Sequence, residues 1–313
     1  MTIGAFTLAL VAWAFAMPIS AHAQTQTGGA IAEVNLRQLA PDLYFLRDAT
    51  SSNSTFLVTD EGVLIVDTRQ HPRDGQDLLD RIRKITNKPV KWVVNTHFHA
   101  DHHYGNSVFK AAGASIIAHA DTARIMRQVD RKEFARRQPF FKSRNYDPGE
   151  VQLTLPDVTF DKDASIRLGG REVRLLYFGP GQNPGDTFVL FPHARTAATP
   201  GAFARRSMPN MAFTPSVASW IDLLQNVAAL DVDTVLPPHG DVATRADVTD
   251  LAGFLKFEYA LVKTAIDKGM PVETAVTTLD FSPYKTWLNM SRREHDVRAL
   301  YELIQTGRRS YFD

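Results

Sequence analysis

The sequence predicts a layered α/β protein on three observations. In the first half, short apolar runs alternate with helically spaced segments. Residues 151–191 are richer in strand-like runs, and from residue 246 onward the chain reads as entirely helical. Strands that are apolar on both faces need cover on both sides, and helices supply it. In chain order, Leu43-Tyr44-Phe45-Leu46 and Thr55-Phe56-Leu57-Val58 read as short strands joined by residues 49–54. Asp60-Glu61-Gly62 signals a turn. Val63-Leu64-Ile65-Val66 is a fully apolar strand that ends in Asp67. Across residues 76–85, Leu78, Leu79, Ile82 and Ile85 share one helical face. Residues 90–94 form a second buried strand, and 114–118 a third, lying between helices at 104–112 and 120–129. The basic stretch 131–144 is expected to be a surface loop or lid. Residues 173–178 and 188–191 are strands around the turn GPGQNPGDT. A helix at 217–230, a strand at 234–236, and helices at 251–268, 271–279 and 292–308 complete the chain. No repeat of fixed period occurs.

The bulk numbers narrow the function. Of 313 residues, 44% are apolar and 22% charged, as in an ordinary globular protein. Lys plus Arg is 35 against 34 Asp plus Glu. That balance argues against a nucleic-acid binder, which carries a basic excess. The absence of cysteine excludes disulfides, thiolate metal sites and cysteine nucleophiles. Any metal must be held by His, Asp, Glu or an amide oxygen. Residues 3–17 are nearly all apolar, and Ala21-His22-Ala23 then offers a small-x-small cleavage site. Residues 1–23 therefore read as a signal peptide, although no Lys or Arg precedes Arg37. The competing reading is an uncleaved anchor, since about 20 apolar residues can span a bilayer. Pro18 and the Ala-His-Ala site favour cleavage, and with it a periplasmic or secreted protein without stable membrane association. Residues 24–29 form a polar leader.

The chemistry is concentrated at His97-Phe98-His99-Ala100-Asp101-His102-His103, directly after the apolar run at 90–94. In an extended chain alternate side chains share a face, so His97 and His99 point the same way. Asp101 and His102 lie in the following turn. Imidazole and carboxylate are ligands that Zn²⁺ accepts, and two imidazoles beside an Asp/His pair can serve two adjacent cations. The bland reading, a His-rich surface loop, fits poorly with a buried strand leading straight into the motif. His103 points elsewhere. His239, after another short apolar strand and between Pro238 and Gly240, is a further ligand candidate. His71, His119, His193 and His295 read as surface or packing histidines. Trp220 and Trp287 read as packing residues.

With Asp67, the His97/His99/Asp101/His102 motif, the turn 179–186 and His239 before Gly240, the chain resembles the metallo-β-lactamase superfamily from about residue 39 to 242. The resemblance implies a four-layer αββα sandwich at 24–245, followed by a helical extension at 246–313. It implies one or two zinc ions at one edge of the sheets. The first would be held by His97, His99 and a turn histidine, and the second by Asp101, His102 and His239. It implies hydrolysis of a small carbonyl substrate (a lactam, lactone or thioester) by hydroxide made available on zinc, with Asp101 orienting that nucleophile. Asp67 is then either support behind the ligands or a strand-end cap. Two positions depart from the pattern. Gln182 stands where the turn histidine belongs, and Gly201 stands where many members place a bridging aspartate. A neutral amide oxygen is a poorer donor than imidazole, so the first site is expected to be weakened, with Gln182 either a poor ligand or turned away. The alternative is a degenerate, inactive binding protein. Arg205, Arg206 and Asn210 are expected at the mouth, as receivers of a substrate carboxylate or as a solvated loop. The sequence leaves substrate and oligomeric state open.

Overall fold

The computed structural model describes residues 34–312. The expected signal peptide and leader lie outside these described residues. Seven strands form the first sheet in simple chain order: β1 (Val34–Ala40), β2 (Leu43–Asp48), β3 (Ser54–Thr59), β4 (Gly62–Val66), β5 (Val90–Asn95), β6 (Ser115–His119) and β7 (Val158–Phe160). β1 to β4 are antiparallel and β4 to β7 parallel. Helices α1 (Pro72–Ile85), α2 (Ala100–His103), α3 (Asn106–Ala111) and α4 (Ala120–Arg144) make the crossovers. A second sheet has the order β12-β11-β10-β9-β8, from β8 (Ala164–Leu168), β9 (Arg171–Leu176), β10 (Phe188–Phe191), β11 (Thr196–Ala198) and β12 (Thr234–Leu236). Helices α5 (Val217–Ala228), α6 (Arg245–Asp267), α7 (Val272–Thr278) and α8 (Arg293–Thr306) follow its strands or close the chain.

Strand alternation builds the layers. One face of the first sheet (Leu43, Phe45, Leu57, Leu64, Val66 and Val94) meets Val173, Leu175, Val189 and Phe191 of the second. The intervening residues Phe56, Val63, Ile65 and Val93 face Leu78 and Ile82 of α1 and Phe109 of α3. On the far side, Phe188, Leu190 and Val235 pack against α5, α6 and α8. The result is the αββα sandwich. The helices after 245 share one hydrophobic cluster with β9 to β12 and α5. The expected boundary at 245/246 therefore falls within a common core.

One expectation is corrected. Residues 131–144 are not a loop or lid but the second half of a 25-residue helix, α4. The buried face of α4 is completed by Glu133 and Phe141. A buried acid breaks the apolar period, so the stretch looks solvated in the sequence. The acid is tolerated because it is fully partnered: it accepts from Ala100 N (3.0 Å), Arg136 (2.7 and 2.9 Å) and Tyr311 OH (2.6 Å).

A second buried acid has no such satisfaction. Glu258 of α6 leaves both oxygens unpaired beside Asp296 of α8, which accepts only from Met211 N at 3.0 Å. Burial drives both carboxyls upward, Asp296 to about 7 against the pull of the Met211 N–H, Arg292 and Arg309, and Glu258 well above the ordinary range with help from the charge of Asp296. The folded state therefore holds protons that the unfolded chain releases near pH 4. Stability from this pair is fully present below pH 4 and is lost as pH rises through 7. Glu258→Gln is expected to melt higher than the parent at pH 8, by roughly 2–4 °C per kcal/mol recovered. The gap is expected to close toward pH 4, and paired thermal melts at the two pH values check it.

Candidate metal centre

The candidate residues gather at one edge of the sandwich, where strands of both sheets end. β5 runs into Thr96, His97 and His99, and α2 places Asp101 and His102 one turn later. β12 delivers His239 from the second sheet. Asn53 clasps the two halves together: its side chain donates to Pro237 O and Gly240 O (both 2.9 Å), and its N–H donates to Pro238 O (2.8 Å). Gly240 turns the loop with φ +87°, a conformation suited to glycine.

Hydrogen bonds fix which imidazole nitrogen is free. Asp67 Oδ1 accepts from Thr96 N at 2.8 Å, and its Oδ2 accepts from Thr96 Oγ1 at 2.7 Å and faces His102 Nδ1 at 2.8 Å. The Thr96 hydroxyl, having donated to Asp67, accepts from His97 Nδ1 at 2.9 Å, a shorter contact than the 3.4 Å from Gly201 N to the same nitrogen. His239 Nδ1 donates to Ser51 O at 3.2 Å. With these nitrogens protonated, His97, His102 and His239 each leave a lone pair on Nε2. This is the carboxylate–histidine arrangement that orients metal ligands. Asp67, His97 and His102 also offer atoms close enough to hold an ion themselves. The Asp67 oxygens are already spent on Thr96 and His102, so its geometry is that of support behind the ligands. Its backbone sits at φ +60°, a left-handed conformation that Asp tolerates better than most residues and that is common at functional sites.

The donor atoms have the spacing of a coordination shell. His102 Nε2, His239 Nε2 and Asp101 Oδ2 lie 3.4, 3.5 and 3.1 Å from one another. An edge of a tetrahedron around zinc, with ligands at about 2.0–2.1 Å, is about 3.3 Å. His97 Nε2 and His99 Nδ1 are 3.1 Å apart, the same kind of edge, and His99 Nε2 is buried without a partner. Three lone-pair donors facing one point without a shared proton fit a cation. Burial lowers the imidazoles: His102 to about 3, and His97 and His99 well below their usual value, so all are neutral and able to ligate. Burial opposes ionisation of Asp101, but Arg137 and the neighbouring imidazoles outweigh it and hold this carboxyl well below the usual range.

The two departures occupy one space. A Cβ at residue 201 would collide with the Gln182 amide and lie 3.0 Å from Asn183 Nδ2 and 3.2 Å from His97 Nε2. Gln182 is satisfied when its NH₂ donates to Gly201 O and its oxygen accepts from Asn210 N, both at 3.3 Å. In that orientation its lone pairs are engaged by backbone and hydrogens face Gly201. Trp220, fully buried on α5, donates to Ala202 O at 2.7 Å and fixes this segment.

The other candidates are placed as follows. Arg205 pairs with Asp247 at 3.3 Å and Arg206 with Asp250 at 3.6 Å, both acids on α6, and both arginine side chains remain partly exposed. The Asn210 side chain accepts from Ala212 N, and only its backbone reaches Gln182. His103 is buried against Phe98 O at 3.0 Å. His71 and His119 cap α1 and α4. Three neighbours of the centre carried no signal in the sequence: Arg137, which pairs with Asp101 Oδ1, Glu133, which holds Ala100 N, and Tyr311, which bonds Glu133. The Glu133/Arg136/Arg137 spacing could have marked a helix.

The sequence profile of the Metallo-beta-lactamase superfamily matches residues 47–239, and the chain belongs to that superfamily. It is 23% identical over 286 residues to the linear primary-alkylsulfatase of Pseudomonas sp. (strain ATCC 19151), covering 77% of this chain and 53% of that protein. It is 25% identical over 187 residues to the metallo-beta-lactamase type 2 of Elizabethkingia meningoseptica, covering 58% of this chain and 66% of the relative. The chain thus spans about half the length of the first relative and about two thirds of the second. Among solved structures, it superposes on the sec-alkylsulfatase Pisa1 from Pseudomonas sp. with TM-score 0.71 at 16% identity, covering 86% of this chain and 50% of that one. The metallo-beta-lactamase from Pontibacter korlensis gives 0.58 at 18% identity, covering 72% of this chain and 99% of that one. These superpositions show the shared fold. Hydrolases among the sequence relatives, together with the donor cluster, support a metal-dependent hydrolase in broad terms.

Proposed function

We propose that this chain is an exported zinc-dependent hydrolase of a small carbonyl or ester-like substrate, with its metal held mainly by Asp101, His102 and His239. The observation that carries the reading is the spacing of those three donors, 3.1–3.5 Å, with the histidine tautomers fixed from behind. Zinc bound there would supply an acidic water and a Lewis acid at neutral pH. The residues of the chain do the rest. Asp67 and Thr96 hold His97 and His102 in their ligating tautomers. Asp101 would orient an attacking water from its place between Arg137 and the histidines. His239, whose side chain is 54% exposed, marks the side open to substrate. The pair His97/His99 lacks a third donor because Gln182 is bound to backbone, which supports a weakened first site. That same observation favours the second reading, a binding protein without turnover.

Purified protein, residues 24–313, separates the two. Zinc per chain is measured, followed by hydrolysis of a lactam, a lactone, a thioester and, because the relatives include alkylsulfatases, an alkyl sulfate. Slow turnover that rises with added zinc and stops on chelation is the expected result. Zinc bound without turnover of any of the four would favour the binding protein.

A further inference from the structure

We infer that Arg137 is a resident cation of the metal centre and restricts it to a single divalent ion. The inference rests on the metal-centre reading above and extends it to stoichiometry. Arg137 arrives from α4, 36 residues after Asp101 in sequence, and pairs with Asp101 Oδ1 while Oδ2 faces His102 and His239. Its Nη1 donates to Gln70 Oε1 at 3.3 Å, which holds the guanidinium on this side. Its Nε is buried without a partner, and the side chain is only 17% exposed. Water therefore screens this charge poorly.

The charge count follows from the donors. Of His97, His99, Gln182, Asp101, His102 and His239, only Asp101 brings a negative charge. Nearby Glu133 is matched by Arg136 at 2.7 Å, and the Asp67 oxygens are taken up behind His102 and Thr96. The donors thus present one negative charge, and a permanent positive charge already stands on it. One dication can share Asp101 with Arg137 through the second oxygen. A second, facing only His97, His99 and a backbone-bound amide, has no anionic ligand of its own, because Asp67 stands behind His97 and His102 and the one anionic donor, Asp101, is already shared with Arg137. The opposite view makes Arg137 merely a positioning residue that aims Asp101, and it gives the opposite sign when the charge is removed.

The test compares native protein, Arg137→Gln and Arg137→Lys for zinc per chain by elemental analysis and for zinc affinity by chelator competition. Thermal melts verify folding. The native chain is expected to hold at most one zinc. Arg137→Gln is expected to bind zinc at least about tenfold more tightly or to admit a second ion, and Arg137→Lys to stay near native. Weaker or unchanged affinity with no second ion in a folded Arg137→Gln overturns the inference. So do two tightly bound zincs in the native chain, whatever the variants do. If the native chain binds no zinc but Arg137→Gln does, the inference stands and the hydrolase reading falls. If neither binds, both fall.

Discussion

His102→Ala is expected to empty the metal centre and cut hydrolysis by at least about 100-fold, the upper range for losses in the shell behind a ligand. Its Nε2 is the common member of two edges of the donor triangle, 3.4 Å from His239 and 3.5 Å from Asp101. Removing it leaves one such edge, His239 to Asp101 at 3.1 Å. The loss reaches the support as well. Burial has already raised the Asp67 carboxyl to about 6, against the pull of His97 and the Thr96 hydrogen bonds. Without the His102 Nδ1 proton at 2.8 Å, that acid is held only by Thr96. A buried polar group that loses a partner costs about 1–3 kcal/mol. Elemental analysis and a thermal melt on the same sample separate the two effects. Retention of one tightly held zinc per chain in the folded variant would show that the triad is not the site.

Gly201→Asp alone is expected to destabilise the fold by about 1–3 kcal/mol, the usual cost of forcing atoms into a filled space. It is expected to gain little metal, because its first side-chain carbon would meet the Gln182 amide. Gln182→His alone is expected to tighten zinc at His97/His99. Together they are expected to be non-additive, with a coupling of about 0.5–3 kcal/mol, since the imidazole vacates the contact that the aspartate needs. A double-mutant cycle read in melting temperature and zinc per chain measures this directly. Strict additivity would mean that the two departures do not share a space.

What the sequence disclosed was local. The apolar run at 90–94 leading into His97, and the short strands before Asp67 and His239, put these candidates at strand ends by period alone; layered α/β packing follows from the succession of apolar runs and helically spaced segments, while the αββα sandwich came from the family resemblance. What stayed hidden depends on contacts between distant segments. Arg137 reaches Asp101 only once α4 is a helix, and α4 was obscured because the acid Glu133 occupies a buried position. The ion pairs of Arg205 and Arg206 were not legible because their partners Asp247 and Asp250 lie some 40 residues away on α6. The conflict between Gln182 and residue 201 is a matter of packing distance, which no spacing rule contains.

Asn53 stands just before β3 of the first sheet, yet three of its hydrogen bonds end on residues 237–240, just after β12 of the second. The candidate donor cluster is therefore completed by the same contacts that join the two sheets over the apolar interior. An occupied centre reports that both leaves of the molecule have met in register. Mis-docked or half-opened chains would be recognisable by their failure to retain the ion, long before any assay of turnover.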